Sequence, residues 1–179
     1  MFQISRTTPA FFITSVTHDR LPIFQTDRVK HIVCNALDEA RTSGRFMIFA
    51  YVIMANHLHL ITDSARVSKH VLRFVNGIAA KRILDYLKDN GHESSLAKLR
   101  VQERQRKHKH SVFQHHSNVF EIYGEDTMMQ KVNYVHLNPV NDGYVVHPDE
   151  YHYSSSRQWH QRALDEEPLV TDHKNIHWR

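Results

Sequence analysis

Along most of the chain, apolar residues recur in two alternating periods, and this pattern predicts an α+β domain. Residues 10–17, AFFITSVT, are aromatic and β-branched and follow Pro9, which reads as a strand. Val29, Ile32, Val33, Ala36, Leu37 and Ala40 then fall at helical spacing, behind Thr26 as a capping residue and ahead of a stop at Ser43-Gly44. The apolar run 46–54, FMIFAYVIM, and the alternating run 57–63, HLHLITD, are joined by Ala55-Asn56, a link short enough for a hairpin. Val71, Val75, Ala79, Ile83 and Leu87 repeat every four residues within 68–90, which predicts a long second helix. Residues 111–123 read as one or two strands. Residues 125–137 read as a helix with Met128, Met129, Val132 and Val135 inward, stopped at Asn138-Pro139 because the residue before proline disfavours the α region.

The order strand, helix, strand, strand, helix, strand, helix predicts a ferredoxin-like arrangement, helices packed on a mostly antiparallel sheet. Beyond Asp149 the pattern becomes polar and irregular. The expected organisation is one domain over 1–157 and a polar C-terminal tail over 158–179.

Charge adds a candidate partner. The chain has 23 Lys or Arg against 19 Asp or Glu, a net charge of +4, and 16 histidines that gain charge wherever phosphate raises their pKa. The stretch 98–110, KLRVQERQRKHKH, reads as an exposed basic loop, and Arg104, Arg106, Lys107 and Lys109 are its candidate phosphate contacts. No apolar run is long enough to span a bilayer, and the amino-terminal residues lack the order of a secretory signal, so a cytoplasmic protein is expected. The single cysteine, Cys34, admits no internal disulfide.

Two constellations could carry chemistry. Residues two apart on a strand share a face, so His57 and His59 leave the sheet together while Leu58 enters the other face. Paired imidazoles bind first-row divalent metals, but two half-exposed histidines on a sheet face would give the same pattern. Tyr134 and Asn138 lie four apart on a helix and therefore on one side of it, with Gln130 and Lys131 on the adjoining turn. A phenol is a covalent nucleophile toward phosphorus once its site ionises or aligns it; a core tyrosine with a satisfied hydroxyl is the plain alternative. Spacing alone does not choose between these readings.

The segments AYVIMANHLHLI, KVNYVHLNPV and PDEYHYSSSR, in that order, resemble the REP-associated tyrosine transposases, a branch of the single-tyrosine HUH transposases. FITSVTHDRLPIF, GIAAKRI and SVFQHHSNVFEI support the resemblance, which spans roughly residues 10 to 157. Where the family usually has proline before the Asn-His of its metal strand, this chain has Ala55. Where related enzymes carry a polar third ligand four residues after the tyrosine, it has Asn138.

The resemblance implies an HUH endonuclease fold, His57, His59 and Asn138 as ligands of Mg²⁺ or Mn²⁺, and Tyr134 as nucleophile. It implies cleavage and rejoining of single-stranded DNA, at hairpin or repeat ends, through a 5'-phosphotyrosine, by a nucleoid-associated monomer or homodimer. Three other functions stay open on the sequence: a domesticated nuclease acting on REP hairpins, a catalytically silent nucleic-acid-binding module, and a metal-dependent hydrolase that uses water.

Overall fold

The computed structural model describes residues 2–100, 110–160 and 170–178. Its centre is a four-stranded, wholly antiparallel sheet of β2 (Ala10–Val16), β3 (Ile48–Ile53), β4 (His57–Thr62) and β5 (Asn118–Ile122), in the order β3-β4-β2-β5. Helix α1 (Asp27–Gly44) connects β2 to β3, and α2 (Ser68–Asp89) with the short α3 (Glu93–Lys98) connects β4 to β5. That connectivity is the ferredoxin-like α+β arrangement expected from the pattern. Helix α4 (Glu125–Asn141) follows β5 and lies across the sheet face from which His57 and His59 project.

Local sequence explains each of these elements. Thr26 caps α1 by accepting from the Val29 amide at 3.3 Å. The left-handed residue that ends α1 is Arg45, at φ 53°, not Gly44. Gly44 is required for a different reason: a Cβ there would sit 2.7 Å from the Phe46 ring. In α2 the five residues at four-residue steps are the five buried ones, and α1 and α2 pack on each other. Burying one such side chain, Ile83 for example, contributes roughly 1.5–3 kcal/mol.

Helix α4 does not stop at Asn138. It runs through Pro139 to Asn141, with Pro139 inside it. Proline gives up only the bond to the Val135 carbonyl, and the last turn is restored by Asp142 N–H to Asn138 O at 3.0 Å and Tyr144 N–H to Pro139 O at 2.8 Å. Asn138 therefore keeps its helical position one turn beyond Tyr134.

The chain beyond Asp149 is built into the domain wherever it is described. Strand β3 is an edge strand yet wholly buried, because residues 151–155 run along its free edge. Ile53 N–H donates to Tyr153 O at 2.8 Å, Ser155 N–H to Tyr51 O at 2.9 Å, and the Trp159 indole to Phe49 O at 2.8 Å. Within 158–179, the part set apart as a tail, β6 (Ile176–Trp178) pairs in parallel with β1 (Phe2–Ile4). Lys30 of α1 fastens the same region from the other side, its ammonium lying 5.0 to 6.0 Å from the rings of Tyr153, Tyr151 and Tyr144.

His136, on the buried side of α4, meets the Ser155 hydroxyl at 2.8 Å. Burial above all holds its imidazole down to about 4. The folded pKa lies below the unfolded one, so the unfolded chain takes up the proton first as pH falls. Stability present above about pH 6.5 is lost as pH drops toward 4, by up to ~3 kcal/mol from this group. His136→Gln is expected to flatten the fall in the urea midpoint between pH 7 and pH 4.5. An equally steep fall in that variant would assign the acid sensitivity elsewhere.

Candidate active site

Strand β4 and helix α4 bring the sequence-selected residues together. The rings of His57 and His59 lie 4.8 Å apart, and the Tyr134 ring stands edge-on to His59 at 5.2 Å. Phe12 of β2 completes the cluster, stacked on His59 at 5.3 Å and edge-on to Tyr134 at 5.9 Å.

The two histidines differ in depth. Only His57 is partly open; His59, expected at an open sheet face, is 4% exposed beneath Phe12 and Tyr134. Its Nδ1 lies 2.9 Å from Thr14 Oγ1, across the β2–β4 ladder. When His59 donates Nδ1–H to that hydroxyl, its lone pair is on Nε2. Burial, then the charges of His57 and Lys131, hold His59 down to about 3, so it is neutral at any physiological pH.

His57 sits between two amide oxygens. Asn138 Nδ2 donates to the Tyr134 carbonyl at 3.0 Å, which turns Asn138 Oδ1 toward His57 Nε2 at 3.2 Å. Asn56 Nδ2 points at the Arg20 carbonyl at 3.5 Å, and Asn56 Oδ1 lies 2.7 Å from His57 Nδ1. A neutral imidazole has one N–H and satisfies one acceptor. With the proton on the shorter Nδ1 contact, the Nε2 lone pair faces a carbonyl oxygen. A second proton would relieve that opposition, but burial lowers the pKa of His57 and disfavours the imidazolium. A shared cation relieves it equally well. The donor set His57 Nε2, Asn138 Oδ1 and His59 Nε2 is therefore suited to a divalent metal, although the described residues hold no group of three or more His, Cys, Asp or Glu able to bind one.

Tyr134 is 49% exposed on α4, with its ring against His59. The other exposed tyrosines are elsewhere: Tyr123 donates to Glu121, and the Tyr144 ring lies 6.0 Å from Tyr151. Tyr51, Tyr151 and Tyr153 are buried. Lys131, one turn before Tyr134, places its ammonium 4.9 Å from the Phe12 ring and 4.5 Å from Phe120. The four basic candidates Arg104, Arg106, Lys107 and Lys109 lie outside the described residues.

Sequence reasoning missed three participants. Thr14 and Phe12 meet His59 only through strand register, which no local spacing reveals. Asn56, the residue before His57, was readable as part of an Asn-His pair but not as the group that orients the ring.

No protein-family model matches the chain, and neither does any curated protein. Among solved structures, it is similar to the REP-associated tyrosine transposase bound to a REP hairpin, with a TM-score of 0.61 and 17% identity over 92% of this chain and 86% of that one. A Deinococcus radiodurans protein assigned as a transposase matches at a TM-score of 0.48 and 17% identity, over 72% of this chain and 88% of that one. On the first of these matches the chain has the fold of a tyrosine transposase. In particular, it has the fold of the REP-associated enzyme that the sequence motifs resemble.

Proposed function

We propose that this protein is a divalent-metal-dependent tyrosine transposase, which cleaves and rejoins single-stranded DNA with Tyr134 as nucleophile. The observation that carries the reading is the convergence of His57 Nε2 and Asn138 Oδ1 at 3.2 Å, two groups that can share a cation when the His57 proton is on Nδ1, with Asn138 one helical turn beyond Tyr134. His57, His59 and Asn138 would hold Mg²⁺ or Mn²⁺, with substrate oxygens and water completing the shell. When bound, the metal supplies charge neutralisation at the phosphate and at the departing oxygen.

The chain's own residues account for the remaining requirements. Asn56 keeps the His57 proton on Nδ1, and Phe12 and Thr14 hold the His59 ring in place. Tyr134 Oη loses its proton and bonds to phosphorus; the P–O3' bond breaks, and the leaving oxygen takes up a proton to become a free 3'-hydroxyl. A second 3'-hydroxyl reverses the step on the 5'-phosphotyrosine, so no nucleotide is consumed. Lys131 adds positive charge one turn from the phenol. A hairpin-bearing single strand is the substrate proposed, since the fold neighbour at TM-score 0.61 was solved with a REP hairpin. No helix among the described residues is long and apolar enough to cross a membrane.

Incubation of the full chain with labelled single-stranded hairpin DNA and Mn²⁺, followed by denaturing electrophoresis, tests the reaction class. A slow-migrating adduct is expected. Cleavage without an adduct would point to a hydrolase using water, and intact bound DNA to a silent binding module.

Two further outcomes follow. Asn56→Ala frees the His57 ring and is expected to weaken Mn²⁺ binding by about 10- to 100-fold in calorimetry without unfolding the chain; unchanged affinity would remove Asn56 from the site. Neutralising Arg104, Arg106, Lys107 and Lys109 together is expected to lower the logarithmic salt slope of single-strand binding by up to about three, at roughly 0.7 per phosphate contact. An unchanged slope would place that segment away from DNA.

A further inference from the structure

Strand β5 is the outer strand of the sheet next to β2, and it exposes large apolar side chains, Phe120 at 47% and Val119 at 37%. One exposed aromatic is ordinary on a protein surface. Three features set Phe120 apart. It pairs with Phe12 across the ladder, so its ring lies on the sheet face that carries His59, His57 and the Tyr134 helix. A single ring, Phe12, separates it from the His59–Tyr134 pair. Above both phenyl rings stands the Lys131 ammonium, held on aromatic faces, with no carboxylate partner among the described residues.

An aromatic ring open to solvent beside a cation with no carboxylate partner among the described residues matches what a nucleotide offers. The ring takes a base by stacking, and the ammonium takes a phosphate. A carboxylate on Lys131 would have repelled that phosphate. Glu121 alternates to the opposite face of β5, where it meets Tyr123.

We infer that Phe120 and Lys131 form the subsite for the nucleotide adjoining the scissile phosphate, Phe120 stacking its base and Lys131 holding its phosphate. The inference rests on the reading of Tyr134 as a nucleophile toward single-stranded DNA, and it names substrate contacts which that reading leaves open. Stacking tolerates any base, so this subsite supplies affinity and alignment in preference to sequence choice.

The test uses the full chain and a hairpin oligonucleotide whose cleavage position has been mapped with the unaltered protein. 2-Aminopurine is placed on the 5' and then the 3' side of that position, and binding is measured in a Tyr134→Phe background. Phe120→Ala and Phe120→Leu are expected to weaken binding roughly ten-fold and to abolish the fluorescence change at one of the two positions, while Phe120→Trp keeps both. Lys131→Met is expected to lower the logarithmic salt slope by about 0.7, and Lys131→Arg to keep it. Circular dichroism of each variant excludes unfolding. An unchanged fluorescence response at both positions in Phe120→Ala, or an unchanged slope in Lys131→Met, overturns the subsite. If the unaltered chain forms the adduct while these variants bind normally, the subsite alone fails; if it forms none, the nucleophile reading fails with it.

Discussion

Tyr134→Phe is expected to lower covalent adduct formation by on the order of a thousand-fold or more while leaving the fold and the affinity for DNA in place. The substitution removes one oxygen from a half-exposed side chain. Phenylalanine preserves the edge contacts to Phe12 and His59, so stability should change by no more than about 0.5 kcal/mol. Mn²⁺ binding should survive as well, because the donors of the site are on His57, His59 and Asn138. Adduct electrophoresis, calorimetry with Mn²⁺ and thermal denaturation on one preparation separate these outcomes. Loss of metal binding together with the adduct would mean that the phenol belongs to the metal site and is not a free nucleophile.

Substitution of the two histidines should be equally damaging to activity but unequal in stability. His57→Ala removes a half-buried ring from between two amide oxygens, and it should cleave below about one hundredth of the normal rate with a denaturation midpoint lowered less than that of His59→Ala. His59→Ala empties a buried position beneath Phe12 and Tyr134 and deprives Thr14 of its partner, at a cost of about 1–3 kcal/mol. Cleavage with Mn²⁺ and urea denaturation of both variants check this. Normal cleavage by His57→Ala would remove it from the ligand set, and an unchanged midpoint for His59→Ala would contradict the burial described here.

How much of this was readable beforehand depends on the range of the interaction. The four-residue rhythm of α2 and the Thr26 cap of α1 are local, and the folded chain realises both. His57 and His59 share a strand face and Tyr134 and Asn138 a helix face, again by local geometry. Pro139 misled because a helix stop is a statement about propensity, and one missing bond near the end of α4 is outweighed by the turn that closes on Tyr144. The pairing of β1 with β6 joins the two ends of the chain through three residues each, too short for any periodic signal. The depth of His59 follows from Phe12 and Thr14 across the register and from α4 above, and none of these is near it in sequence. Residues 151–155 looked irregular because they serve as the cover of the β3 edge, where tyrosines and serines alternate between packing and hydrogen bonding.

A nucleophilic role for Tyr134 requires that its phenolic oxygen, and no other, become bonded to DNA. The most direct measurement is peptide mapping of the covalent adduct by mass spectrometry after digestion with nuclease and protease. A nucleotide mass is expected on the peptide containing Tyr134, with attachment at that residue in every adduct-bearing fragment. A nucleotide on Tyr123 or Tyr144 instead would contradict it.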